Sequence, residues 1–220
     1  MLRSRLSVLV ATGLLLGLGA ADAQPPPPGM APPPPPGLAP GTDPAQWPQI
    51  SGQVTAFSLT PRGDVDGVIL ADGTEVHMPP HLGPALLRGI RIGDQVTIRG
   101  LRAYAVPVVQ AVAISDAATG QTVVDTGPPG PGLAPFPPFP GPAQPMTATG
   151  RVRMALYGPR GDLNGAMLED GTQIHLPPPE AASMAGVLTP GATLSASGIG
   201  LVTPYGRVMD AQQILPAPRP

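Results

Sequence analysis

The chain has 220 residues, with twelve basic residues, all arginine, against fourteen acidic ones, and no cysteine. Lacking cysteine it has no disulfide, thiolate ligand or thiol nucleophile, and lacking lysine it has no Schiff-base chemistry. Its formal charge of -2 is spread thinly along the chain. That argues against a nucleic acid partner, because phosphate binding needs a basic face.

The chain begins with Arg3 and Arg5, an uncharged apolar run from Leu6 to Ala21, and the small residues Ala21 and Ala23 around Asp22. This is the pattern of a secretory signal peptide covering 1–23, with cleavage before Gln24. The run is shorter than the ~20 residues that span a bilayer, and glycines interrupt it. No membrane span is expected after cleavage, and without cysteine no lipoprotein anchor. The expected location is periplasmic or secreted.

Residues 24–48 and 119–146 are dominated by proline and glycine, a composition that favours polyproline II and semi-rigid spacers. The intervening blocks, 49–118 and 147–216, are two copies of one domain. Aligning Ser51 with Thr149 requires no gap as far as Gly100 on Gly198, and about sixteen of those fifty positions are identical. The identities gather in Pro61–Asp64 with Pro159–Asp162, Asp72–Thr74 with Asp170–Thr172, and His77 with His175 ahead of a proline pair. Clustering of this kind marks a duplicated fold.

Within each copy the apolar residues alternate with period two. In copy two Val152, Met154 and Leu156 alternate with Arg151 and Arg153. A turn-rich Pro-Arg-Gly-Asp segment leads to a second strand, Val68–Leu70 or Ala166–Leu168. Asp72-Gly73 and Asp170-Gly171 then read as two-residue type I′ hairpin turns. In the third strand Val76 and Met78 share one face and Glu75 and His77 the other, with Ile174, Leu176, Gln173 and His175 as twins. The proline pair ends that strand. A short helix follows, over Leu82–Gly89 in copy one and 179–185 in copy two. A fourth strand carries Val96 and Ile98, or Leu194 and Ala196, inward, and a fifth covers 108–114 or 207–215.

Three strands, a helix and two strands is the order of the OB-fold barrel. The residues Gly52-Gln53-Val54, Asp72-Gly73-Thr74 and Gly93-Asp94-Gln95-Val96 resemble those of small exported bacterial OB-fold proteins, uncharacterised ones among them. Copy two shows the same pattern except that Ala192 replaces the aspartate after Gly191. The fold expected is all-β: two tandem OB-fold-like barrels, each with one short helix, joined by proline-rich linkers. The resemblance speaks for fold and not for activity, since OB-folds host many functions.

Parity turns His77, His175, Glu75 and Gln173 away from the apolar core, onto the strand 2–3 side where OB-folds often bind ligands. These four, with Arg62 and Arg160 of the repeated Arg-Gly-Asp turns, are the candidate ligand-binding residues. The competing structural reading gives each histidine a hydrogen bond that fixes the Pro-Pro corner. His77, His81 and Met78 form a candidate copper or zinc set, because imidazole and thioether suit soft metals. Periplasmic copper-chaperone OB-folds offer an analogy, from which this chain departs: Met78 should face inward, and His81 becomes Pro179 in copy two. Asp64-x-Asp66-Gly67, echoed by Asp162-x-Asn164-Gly165, has the spacing that opens a calcium loop but lacks the distal glutamate, and reads as turn chemistry.

No aromatic residue lies on the strand 2–3 stretches, so base stacking is not expected. No nucleophile–histidine–carboxylate set or phosphate loop is recognisable. The expected protein is non-enzymatic and without a cofactor, binding an envelope protein, peptide or small ligand. Metal binding is the alternative, and nucleic acid or oligosaccharide binding a remote one.

Overall fold

The structure is a computed structural model, which describes residues 43–127 and 142–217. All of these belong to one compact unit spanning 37–220. The expected signal peptide, most of the first spacer and the middle of the linker lie outside the described residues.

Barrel 1 comprises β1 (Gln49–Leu59), β2 (Val65–Leu70), β3 (Glu75–His77), α1 (Gly83–Gly89), β4 (Gln95–Arg102) and β5 (Val108–Asp116). A short β6 (Thr122–Val124) adds to the edge of β5. Barrel 2 repeats the plan with β7 (Gln144–Tyr157), β8 (Leu163–Leu168), β9 (Gln173–His175), α2 (Pro178–Ser183), β10 (Thr193–Thr203) and β11 (Gly206–Pro216). In each barrel the first strand pairs antiparallel with the second and fourth, and the third closes the barrel by a parallel pairing with the fifth. That closure, with a helix between strands three and four, is the OB arrangement, and the chain is a tandem OB-like protein.

The inward residues of β1, β2, β4 and β5 form the core of barrel 1, with Val54, Val68, Leu70, Val96, Ile98 and Ile114 at most 1% exposed. Leu86 of α1 packs into it. In barrel 2 Val152, Leu168, Ile174, Leu194 and Ala196 do the same, with Ala181 of α2. Helices this short hold through this packing, since isolated helices of one or two turns do not form in water. Proline at N1/N2 of each sets the first turn without costing a hydrogen bond.

Three details differ from the sequence reading. The Asp-Gly-Thr turns are not type I′, because no residue other than glycine has positive φ among the described residues. Instead Gly73 N–H bonds Leu70 O, and only Gly73 (φ 82°) takes the left-handed conformation. This is a three-residue loop, in which a type I turn is followed by a left-handed glycine. The Asp72 carboxylate accepts from Thr74 N and Oγ1 at 2.9 and 3.0 Å, and Asp170 repeats this with Thr172. The triplet is therefore a complete local device. Next, β6 lies in the segment expected to be linker, where Val123 joins the core of barrel 1. Finally, the end of the first spacer is tied to β4, since Arg99 donates to Ala45 O at 3.0 Å and Gly100 N–H to Pro48 O at 3.1 Å.

Candidate functional site at the junction of the barrels

The β1–β3 sides of the two barrels face each other. Ala56 and Ile69 of barrel 1 pack with Met154, Leu156 and Met167 of barrel 2 in a small second core. Ile69 and Met167 are repeat twins, as are Ala56 and Met154, so the same patch is used on both sides. Reciprocal use of one patch is the signature of a two-fold relation. The last hairpin of barrel 2 reaches across as well. Leu201 and Val208 join the core of barrel 1, and Tyr205 meets Phe57 edge to face at 5.7 Å between ring centres.

Glu75, His77, Gln173 and His175 do point away from their own cores, as parity requires, but they are not open to solvent. They are 1, 7, 2 and 9% exposed. Parity within a strand cannot show that a second barrel covers its outer face. Three of these side chains bind the end of the first strand in the opposite barrel. Gln173 accepts from Leu59 N at 2.9 Å and donates to Phe57 O at 2.8 Å. Glu75 accepts from Tyr157 N at 2.9 Å, the twin of the Leu59 contact. His77 Nε2 donates to Tyr157 O at 3.0 Å. His77 therefore bonds the other barrel and not its own Pro-Pro corner.

A bulge brings the next residue in. The β1–β2 register shifts between Ser58/Gly67 and Leu59/Val65, leaving Asp66 unpaired with β1. Barrel 2 has the same shift around Asn164. Bulges re-aim side chains, and here Asp66 Oδ2 comes to 3.8 Å from His77 Nδ1. Glu75 Oε2 stands 3.6 Å from His77 Nε2. Gly67 lets β3 approach, since a Cβ there would strike the Val76 carbonyl, and Gly165 does the same against Ile174.

The two halves of the junction differ in charge. Asp66, Glu75 and His77 in copy one stand opposite Asn164, Gln173 and His175 in copy two, so each acid is matched by its own amide. Burial works against charge on His77, but the carboxylates of Asp66 and Glu75 outweigh it and raise its pKa to about 9. Glu75 is itself raised, by burial above all, with His77 and the Tyr157 N–H opposing. His175 is lowered by burial, against the pull of Asp66, the Leu59 carbonyl and Asp210. At neutral pH one histidine is an imidazolium and its twin a neutral imidazole.

A cleft of about 410 Å³ opens at this junction, lined among others by Asp66, Glu75, His77, Asn164, His175, Arg160 and Asp210. Four buried side-chain atoms have no hydrogen-bond partner among the described residues: Asp66 Oδ1, His77 Nδ1, Asn164 Oδ1 and His175 Nε2. All four belong to residues lining this cleft. Asp66 and Asn164 entered the sequence reading only through a calcium-loop spacing that was read as turn chemistry, and Asp210 was not singled out. The available signal was the paired exchange of acid for amide at both 66/164 and 75/173 beside an unchanged histidine.

Of the other candidates, Arg160 lines the cleft, exposed and 3.8 Å from Asp162. Arg62 is exposed, 4.0 Å from Asp64, and outside the cleft lining. The metal set is not assembled in one place. Met78 is buried in the core of barrel 1, His77 is bound across the junction, and His81 sits half-exposed in the 3-10 turn Pro80–Leu82. Among the described residues no group of three or more His, Asp or Glu could hold a metal ion. None of their helices is long and apolar enough to cross a membrane.

No protein-family model matches the chain, and no curated protein matches it. Among solved structures, it is similar to the wild-type single-stranded DNA binding protein from Thermus aquaticus, at 14% identity and a TM-score of 0.26. That match covers 78% of this chain and 92% of the other. A deletion mutant of the same Thermus aquaticus protein matches at the same identity and TM-score, over 78% and 94%. The class rests on strand order and barrel closure: two OB-like barrels in tandem.

Proposed function

We propose that this is an exported, non-catalytic binding module of the cell envelope, whose ligand is held in the cleft between its barrels. Export is supported by Arg3, Arg5 and the apolar run Leu6 to Ala21. The observation that carries the binding reading is that the four residues with a buried side-chain atom lacking a hydrogen bond all line one cleft. Buried polar groups are nearly always hydrogen-bonded, so unsatisfied atoms on neighbouring residues of one cleft support a group that completes them. A cleft of about 410 Å³ falls within the ~300–1,000 Å³ range of small-ligand sites.

This reading differs from single-barrel recognition on the strand 2–3 side. Here that side is taken up by the other barrel, which argues against oligonucleotide or oligosaccharide binding there. His77 works as part of the joint, bonded to Tyr157 O of the opposite barrel, which supports a binder over a catalyst.

The chain contains only three histidines, so imidazole NMR resolves the question directly. Small ionic and neutral probes titrated into the protein should move the His77 and His175 signals and leave His81, which lies outside the cleft lining, in place. Perturbation of His81 alone, or of none of the three, would reject the cleft as the site.

A further inference from the structure

Resting on that reading, we infer that the cleft selects a compact organic cation, an ammonium or guanidinium group carried by a small molecule or by a side chain of a partner. Two of the four unpartnered atoms, Asp66 Oδ1 and Asn164 Oδ1, are oxygens that accept hydrogen bonds. A group with several N–H donors and no acceptor meets that set. His175 is 9% exposed and lines the cleft, so its orphan nitrogen is no surface feature.

Charge points the same way. The lining includes the carboxylates of Asp66, Glu75, Asp162 and Asp210. The positive charges facing them are Arg160, already beside Asp162, and His77, held between Asp66 and Glu75. A carboxylate or phosphate entering the cleft would meet an acidic excess with its two cations already paired. A cation would complete Asp66 with a charge-assisted hydrogen bond, about twice as strong as a neutral one. Near-isosteric probes with different head groups isolate this choice.

Butylammonium and ethylguanidinium chloride should shift the His77 and His175 imidazole signals, while butyramide and sodium butyrate at equal concentration should not. Asp66→Asn, which copies the Asn164 side, should weaken cation binding at least about tenfold by calorimetry. Asp210→Asn, at an exposed position, should weaken it to a lesser degree and serves if Asp66→Asn does not fold. Putrescine and the blocked peptide acetyl-Gly-Arg-Gly-amide then separate the sources. Tighter binding of the diamine favours a small molecule, and tighter binding of the peptide a partner side chain. Binding of butyramide or butyrate at the cleft without the cations overturns this inference and leaves the cleft reading standing. Cation binding that neither variant weakens also overturns it. If no probe moves any imidazole, both readings fall.

Discussion

His77 bonds the opposite barrel through Tyr157 O while its charge is held by Asp66 and Glu75, and Glu75→Gln tests that charge with the least disturbance. Copy two already carries glutamine at the twin position, where Gln173 makes the equivalent bond to a backbone N–H. The introduced amide should keep the Tyr157 N–H contact while removing one of the two carboxylates facing His77. The gap between about 9 and the ordinary 6.5 for His77, at about 1.4 kcal/mol per pH unit, corresponds to about 3 kcal/mol favouring the protonated folded state. Because the folded pKa is raised, this stabilisation is fully present below pH 6.5 and is lost as pH rises through about 9. Glu75, also raised, loses its own contribution as pH rises through its folded pKa, so total stability mixes the two groups. The direct readout is therefore the His77 imidazole titration by NMR, with urea unfolding at about pH 6 and about pH 9.5 alongside. In Glu75→Gln the His77 pKa should fall from about 9, because only Asp66 then opposes the effect of burial. The pH-dependent loss of stability should shrink with it. A wild-type His77 titrating near 6.5, or one unmoved by the substitution, would refute the charged joint.

The remaining predictions concern the same junction. His175, with its pKa lowered by burial, should destabilise the fold as pH falls below 6.5. His175→Gln should flatten that acid slope in a series of thermal melts. Gln173→Ala leaves Leu59 N–H and Phe57 C=O without their 2.9 and 2.8 Å partners, and should cost about 2–4 kcal/mol in urea unfolding. Ile69→Ala removes a fully buried side chain from the shared apolar patch. It should cost about 2–5 kcal/mol and move His77 and His175 imidazole signals together. Gly67→Ala drives a Cβ into the Val76 carbonyl beside His77. It should cost about 1–3 kcal/mol, more than alanine at an open turn position.

Much of each barrel was legible because its causes are local. Period-two alternation in Val152–Leu156, the self-capping Asp-Gly-Thr turns and the proline pair that stops β3 each follow from neighbouring residues. The repeat doubled every such signal. The turn type was missed because left-handed φ at Gly73 alone satisfies the loop, and a dipeptide does not reveal how many residues the loop contains. β6 was missed because Thr122–Val124 sits among linker-like residues and becomes a strand only by pairing with β5.

The candidate site divides along the same line. Residue order alone specified two barrels of one design, the inward set of each, and the face on which Glu75, His77, Gln173 and His175 stand. Whether that face meets water or protein depends on how two domains separated by a long linker come together, and no periodicity encodes that. It took the packing of one barrel on the other to show that β3 and β9 each bind the end of the opposite barrel's first strand. The same packing shows a bulge turning Asp66 toward His77, and acids on one side meeting amides on the other. Those facts turn a pair of repeated histidines into a buried, half-charged joint, because their burial is set by residues 80 to 114 positions away in the chain, while the charge on His77 is held by Asp66 and Glu75 of its own barrel.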